Sequence, residues 1–284
     1  MSTIEVFLYL FFVINATLFG IVIGSFLNVV IYRIPEGRTI VKGHSMCMSC
    51  GHTLAAKDLV PLFSWLFLKG KCRYCGAPVA SRYSKIESFT GLVFFIAAIT
   101  HLQTAFVFVA QDMYFISLAF YFVLFLAASC AAISAMMIYH DTSKGYLGLA
   151  LISMVSGLIA TIFRIVNGES ISLNIITIIM FLLTIVIIKI CFVIFHKTYS
   201  KYDLFADITI AGLLLNSSYT KIYSNFNSIL TSIIEFSLFA IIYGLVRSIN
   251  KNSKNDKLSV IIGYLLIVIL VILRYSIMKL IFNI

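Results

Sequence analysis

Long apolar runs broken by short polar stretches set the organisation of this chain. Residues 6–31 form the first run, long enough to cross a bilayer at the helical rise. Asn28 is its one strongly polar residue near the inner end, and Arg33 and Pro35 close it. Further runs at 86–101, 113–139, 146–165, 172–195, 206–219, 229–246 and 258–282 predict about eight transmembrane helices with both termini outside. The 206–219 run is short and has Asp207 near its start, so a seven-span reading competes. The first run has no basic segment before it and no small-residue cleavage site after it. It is expected to be a retained helix rather than a cleaved signal. The fold class expected is an all-α polytopic membrane protein with a small cytoplasmic four-cysteine loop between its first two spans.

Composition agrees with the pattern. Of 284 residues, 61% are hydrophobic and only 11% are charged, and the mean hydropathy is +1.06. A soluble domain is excluded at these values. All three prolines, Pro35, Pro61 and Pro78, fall in the first 80 residues. This divides the chain into a head, 1–95, and a helical remainder, 96–284, with no internal sequence repeat. The formal net charge of +10 is read as basic cytoplasmic loops facing anionic lipid, not as nucleic-acid binding. Residues 33–85 carry nine lysines and arginines against Glu36 and Asp58, which places this loop in the cytoplasm. The loops at 140–145, 196–205 and 247–257 are more basic than those on the other side, where Arg164 and Lys221 stand.

The head carries the most specific chemistry. Cys47-Met48-Ser49-Cys50 and Cys72-Arg73-Tyr74-Cys75 are two CxxC pairs at the spacing of a four-cysteine zinc site, structural rather than catalytic. Two disulfides or four unrelated buried cysteines are the alternatives, and a reducing compartment favours metal. Gly51 and Gly76 follow the second cysteine of each pair. Between the pairs, residues 59–68 are apolar but too short to span. They read as a membrane-surface or re-entrant segment flanked by Lys57 and Lys69, or as a small core under the metal.

Acidic groups at membrane depth are costly and so are candidates for function. Asp141 ends the third run and Asp207 opens the sixth, and the charge pattern puts both at the cytoplasmic face. Two carboxylates at one depth can share a proton, one acting as base on water and the other polarising a carbonyl. Two unrelated interfacial aspartates remain the alternative from the residues alone. Asp203 competes with Asp207, one helical turn earlier. Glu87, Asn28 and Arg33 lie near the same face and suit either function or packing. Glu235 in the seventh run is read as structural, and Cys130 and Cys191 as packing residues.

The head resembles the type IV prepilin peptidases. Gly24-Ser25-Phe26-Leu27-Asn28-Val29-Val30-Ile31-Tyr32-Arg33-Ile34-Pro35 is similar to a signature of that family, as are Lys57 to Trp65 and Ser81 to Glu87. The resemblance is specific over about residues 20–95. It implies a membrane aspartic peptidase of the bacterial inner membrane. Such an enzyme cleaves the basic leader of prepilins or pseudopilins on the cytoplasmic side. It then N-methylates the new terminus with S-adenosylmethionine. It implies Asp141 and Asp207 as the catalytic pair, the latter within Ala206-Asp207-Ile208-Thr209-Ile210. Glycines usual before the second aspartate are replaced by Leu204, Phe205 and Ala206, and Gly145-Tyr146-Leu147-Gly148 stands where a proline motif is usual. A catalytically weakened assembly module, or a chain retaining methyl transfer alone, is the rival expectation.

Overall fold

The computed structural model describes residues 3–108, 112–168, 171–195, 197–217 and 226–251, together with 258, 261–263, 265 and 266. The expected run at 258–282 lies almost wholly outside them. Each of the other seven runs is a helix: α1 (Thr3–Arg33), α3 (Arg82–Phe108), α4 (Asp112–Thr142), α5 (Leu147–Val166), α6 (Ile171–Ile194), α7 (Lys201–Ser217) and α8 (Phe226–Asn250). A five-residue helix, α2 (Phe63–Phe67), lies in the loop between α1 and α3. There is no strand among the described residues. Four segments are long and apolar enough to cross a membrane: Val6–Arg33, Ala119–Thr142, Leu147–Val166 and Asn174–Ile194. At 17 residues α7 falls short of that length.

The chain divides into two units, Met1–Ala110 and Gln111–Ile284. In the first, α1 packs along α3. The contact is close because α1 presents Gly20 and Gly24 four residues apart. A Cβ on Gly24 would stand 2.7 Å from the Cα of Glu87. Small residues at such spacing let helix backbones approach where lipid offers no hydrophobic drive.

In the second unit α7 is the central helix, packed on α4, α5 and α6, while α8 packs on α6. Ala206, Ile210, Ala211, Leu213, Leu214 and Leu215 are all buried. A helix enclosed on every side must satisfy its polar groups internally. Ser153 Oγ on α5 donates to the Thr209 carbonyl at 2.8 Å. Asn216 Nδ2 donates to Ser156 Oγ at 3.2 Å. In contrast α6 exposes Ile175, Ile179, Leu182, Val186 and Ile190 in one stripe of helical period. Lipid is the medium that such a stripe fits.

Candidate functional site

The two CxxC segments fold into the same turn. The Cys47 N–H donates to the His52 carbonyl at 2.9 Å, and the Cys72 N–H donates to the Ala77 carbonyl at 2.8 Å. The Gly51 and Gly76 N–H groups donate back to the carbonyls of Cys47 and Cys72. Single antiparallel bridges, Met46 with Thr53 and Lys71 with Pro78, close each turn. Both glycines take a positive φ, +68° and +72°. The turn therefore requires the residue that follows each pair to carry no Cβ.

The turns bring all four sulfurs within 4.8 Å of one another. Cys47 and Cys75 Sγ stand 3.9 Å apart. Four thiolates around a tetrahedral zinc ion, with bonds near 2.3 Å, have sulfur–sulfur separations of about 3.8 Å. The residues present therefore fit such an ion, and all six cysteines are free. Backbone N–H groups of Cys50 and Ser49 lower the Cys47 thiol to about 6. The Ala77 N–H also favours the Cys75 thiolate, but desolvation and the neighbouring sulfurs outweigh it and raise that thiol to about 11. Thiolates crowded this closely need a cation before all can ionise.

Asp58 joins the two turns. It accepts from Arg73 Nε at 2.6 Å, from Tyr74 Oη at 2.8 Å and from the Ala55 N–H at 3.2 Å. The Arg73 bond holds the carboxyl below its ordinary range. Its stabilisation is thus complete above an unfolded-state value of about 4 and is lost as pH falls through the lower folded value. Asp58→Asn is expected to lower the melting temperature of the head at neutral pH. The gap between variant and wild type should close in acid. An equal gap at all pH values would refute the role.

Arg33 and Glu87 hold the loop to the helix pair, and Asn28 ties α1 to the first turn of α3. Asn28 Nδ2 donates to the Tyr83 carbonyl at 3.2 Å. The Arg33 guanidinium donates to the carbonyls of Thr39, Lys42 and Gly43 at 3.0, 2.8 and 3.4 Å. Glu87, buried at the start of α3, accepts the Leu62 N–H at 2.6 Å. That bond holds Leu62 at a φ of 63°, unusual for a branched side chain.

In the second unit a buried ion cluster forms where α4 and α8 end and α7 begins. Arg247 on α8 donates through its terminal nitrogen to Asp203 at 2.9 Å and through Nε to Asp207 at 3.3 Å. Lys251 Nζ reaches Asp203 at 2.6 Å. Three phenols complete the shell. Tyr139 donates to Asp203 at 2.7 Å, Tyr199 to Asp207 at 3.0 Å and Tyr243 to Asp207 at 2.7 Å. The guanidinium also lies over the Tyr139 ring, 4.7 Å from its centre. Asp203 doubles as a helix cap, exchanging hydrogen bonds with Ser200 in the first turn of α7. Arg247 and Asp207 side chains are wholly enclosed.

The cluster brings Asp207 to Asp203, not to Asp141. Asp141 lies two residues beyond Tyr139, about 200° around α4, with 30% of its side chain exposed and a 3.2 Å contact to His140 Nδ1. It is not among the hydrogen-bond partners of Asp207. Sequence reasoning treated Arg247 and Lys251 only as loop charges and left out Tyr139, Tyr199 and Tyr243. A signal was present: Tyr199, Asp203 and Asp207 recur every four residues, as do Tyr243, Arg247 and Lys251. Two such ladders on facing helices are complementary in charge.

Residues 18–101 match the Bacterial Peptidase A24 N-terminal domain. The chain is 51% identical over 76 residues to a prepilin leader peptidase/N-methyltransferase of Myxococcus xanthus, covering 27% of this chain and 23% of that protein. It is 38% identical over 102 residues to a type 4 prepilin-like proteins leader peptide-processing enzyme of Escherichia coli, covering 30% and 38%. A Klebsiella pneumoniae prepilin leader peptidase/N-methyltransferase is 42% identical over 84 residues, covering 28% and 37%. The aligned segment thus spans well under half the length of these relatives. No solved structure matches the chain.

Proposed function

From its type IV prepilin-peptidase head, we infer that this chain acts on prepilins or pseudopilins at the cytoplasmic face of the inner membrane. It cleaves their leader and N-methylates the new terminus. The match of residues 18–101, together with the paired cysteine turns inside it, carries the reading. Cys47, Cys50, Cys72 and Cys75 hold one structural zinc ion, and S-adenosylmethionine supplies the methyl group. The basic loop faces anionic lipid. Zinc in a closed four-sulfur shell has no open position for substrate, so it shapes the loop and takes no part in hydrolysis.

Leader cleavage falls to the second unit, where Asp207 acts with Asp141. One carboxylate takes a proton from water and the other donates to the scissile carbonyl. The closed geometry of Asp207 favours a second reading, in which the chain binds or methylates without cleaving. A guanidinium between two carboxylates leaves no shared proton for an acid–base pair. Incubating the full-length protein with its cognate prepilin, and separately with a pre-cleaved pilin and methyl donor, tests both. Asp207→Asn or Asp141→Asn is expected to reduce cleavage to background while methylation of the pre-cleaved pilin persists. Full cleavage by both variants would remove the aspartate pair. Methylation with no cleavage by the wild type would establish the second reading.

A further inference from the structure

Arg247 is the hub of the buried cluster. Its guanidinium contacts a carboxylate on each of two successive turns of α7 and lies over aromatic rings from α4 and α6, Tyr139 at 4.7 Å and Phe192 at 5.7 Å. It therefore joins α8 to three other helices of the unit. The charges balance, Asp203 and Asp207 against Arg247 and Lys251. A balanced, fully hydrogen-bonded set is the condition for ions to persist in a dry interior. Asp207 receives Tyr199 on one oxygen and Tyr243 and Arg247 on the other. Three donors occupy most of its lone-pair directions, and the side chain is wholly enclosed, out of reach of a water that it could activate.

We propose that Arg247 is a positioning residue that latches the second unit closed. Its guanidinium ties α8 to α7 through Asp203 and Asp207, and Asp207 reaches water and substrate only after α8 withdraws it. The release would expose a carboxylate at the same end of the bundle as Asp141. Tyr139 would then be left to Asp203, which stays neutralised by Lys251. This inference rests on the peptidase reading of the second unit for its consequence, but the latch itself is a statement about ion pairing and is testable without activity.

A hydrophobic carbodiimide adds only to a protonated, accessible carboxyl group, and the adduct at Asp207 is read by mass spectrometry of the reconstituted full-length protein. Wild type is expected to stay unmodified at Asp207. In Arg247→Gln the adduct should rise about tenfold or more, since losing one partner of a buried pair changes the site by well over that factor. Arg247→Lys should fall between, because an ammonium cannot span both carboxylates. Should Arg247→Gln fail to fold, Asp203→Asn/Arg247→Gln removes one charge of each sign, keeps the balance, and should show the same rise. Measured without carbodiimide, prepilin cleavage should follow the same order among these proteins. Modification of Asp207 in wild type to the level of the variants would overturn the latch. So would a loss of cleavage in Arg247→Gln that Arg247→Lys restores, which would place Arg247 in the reaction itself. If the adducts follow the expected order and no form cleaves prepilin, the latch stands and the peptidase reading fails.

Discussion

Cys72→Ser is expected to empty the metal site and melt the loop around it. From residue 34 to residue 83 Cys72 is the only buried residue. The segment therefore has no hydrophobic core with which to hold its shape. Small structural zinc sites bind with about 10–16 kcal/mol, and that binding is their folding free energy. Losing one of four sulfurs should take metal content from one ion per chain to near none. Limited proteolysis should then cut between the two turns, where wild type resists. Serine keeps the size of the side chain, so packing is not the variable. Retention of zinc with unchanged protease resistance would show that three sulfurs suffice and that the loop is held by other means.

Gly145→Ala is expected to destabilise the second unit by about 3 kcal/mol, the upper end for overpacking. A Cβ there would run into the Tyr202 carbonyl and stand 2.7 Å from the Ala206 nitrogen. Both are backbone atoms of α7 and neither can turn aside. The loop after α4 rests on this contact, at the residues directly before Asp203 and Asp207. The substitution should therefore lower the thermal midpoint and loosen the ion cluster together. Gly148, three residues on, has open space beside it, and Gly148→Ala is the control that should change neither. Equal midpoints for the two variants would remove the contact from the account.

The helices were legible because apolar runs at membrane length leave few alternatives. Boundaries moved outward where polar residues begin a helix: the run at 206–219 becomes α7 from Lys201, because Ser200 and Asp203 cap it. The four cysteines were legible because metal geometry is written in short spacings. The buried cluster around Asp207 was not. Its pairing with Asp141 is what the family resemblance implies, and shared depth says nothing of the Tyr199, Tyr243 and Arg247 side chains that enclose Asp207. Tyr139 and Asp141 stand on nearly opposite faces of α4, and only the first faces inward. The four-residue ladders on α7 and α8 would have pointed to Arg247. They were hidden because basic residues after an apolar run were counted as topology signals.

The bond from Leu62 to Glu87 divides the head into two cooperative parts. The cysteine turns are joined by Asp58 and bring four sulfurs to the spacing of a metal site. The stretch at 60–67 instead hangs from a carboxylate on α3, by way of the Leu62 amide, and from the Trp65 indole on the Val79 carbonyl at 3.1 Å. During synthesis the first of these tethers can close as soon as α1 and α3 have met, before any metal arrives. The four cysteines are then presented on a partly ordered frame, and less chain entropy remains to be lost when the ion binds. Glu87 thereby orders the frame on which the cysteines sit without touching any of them.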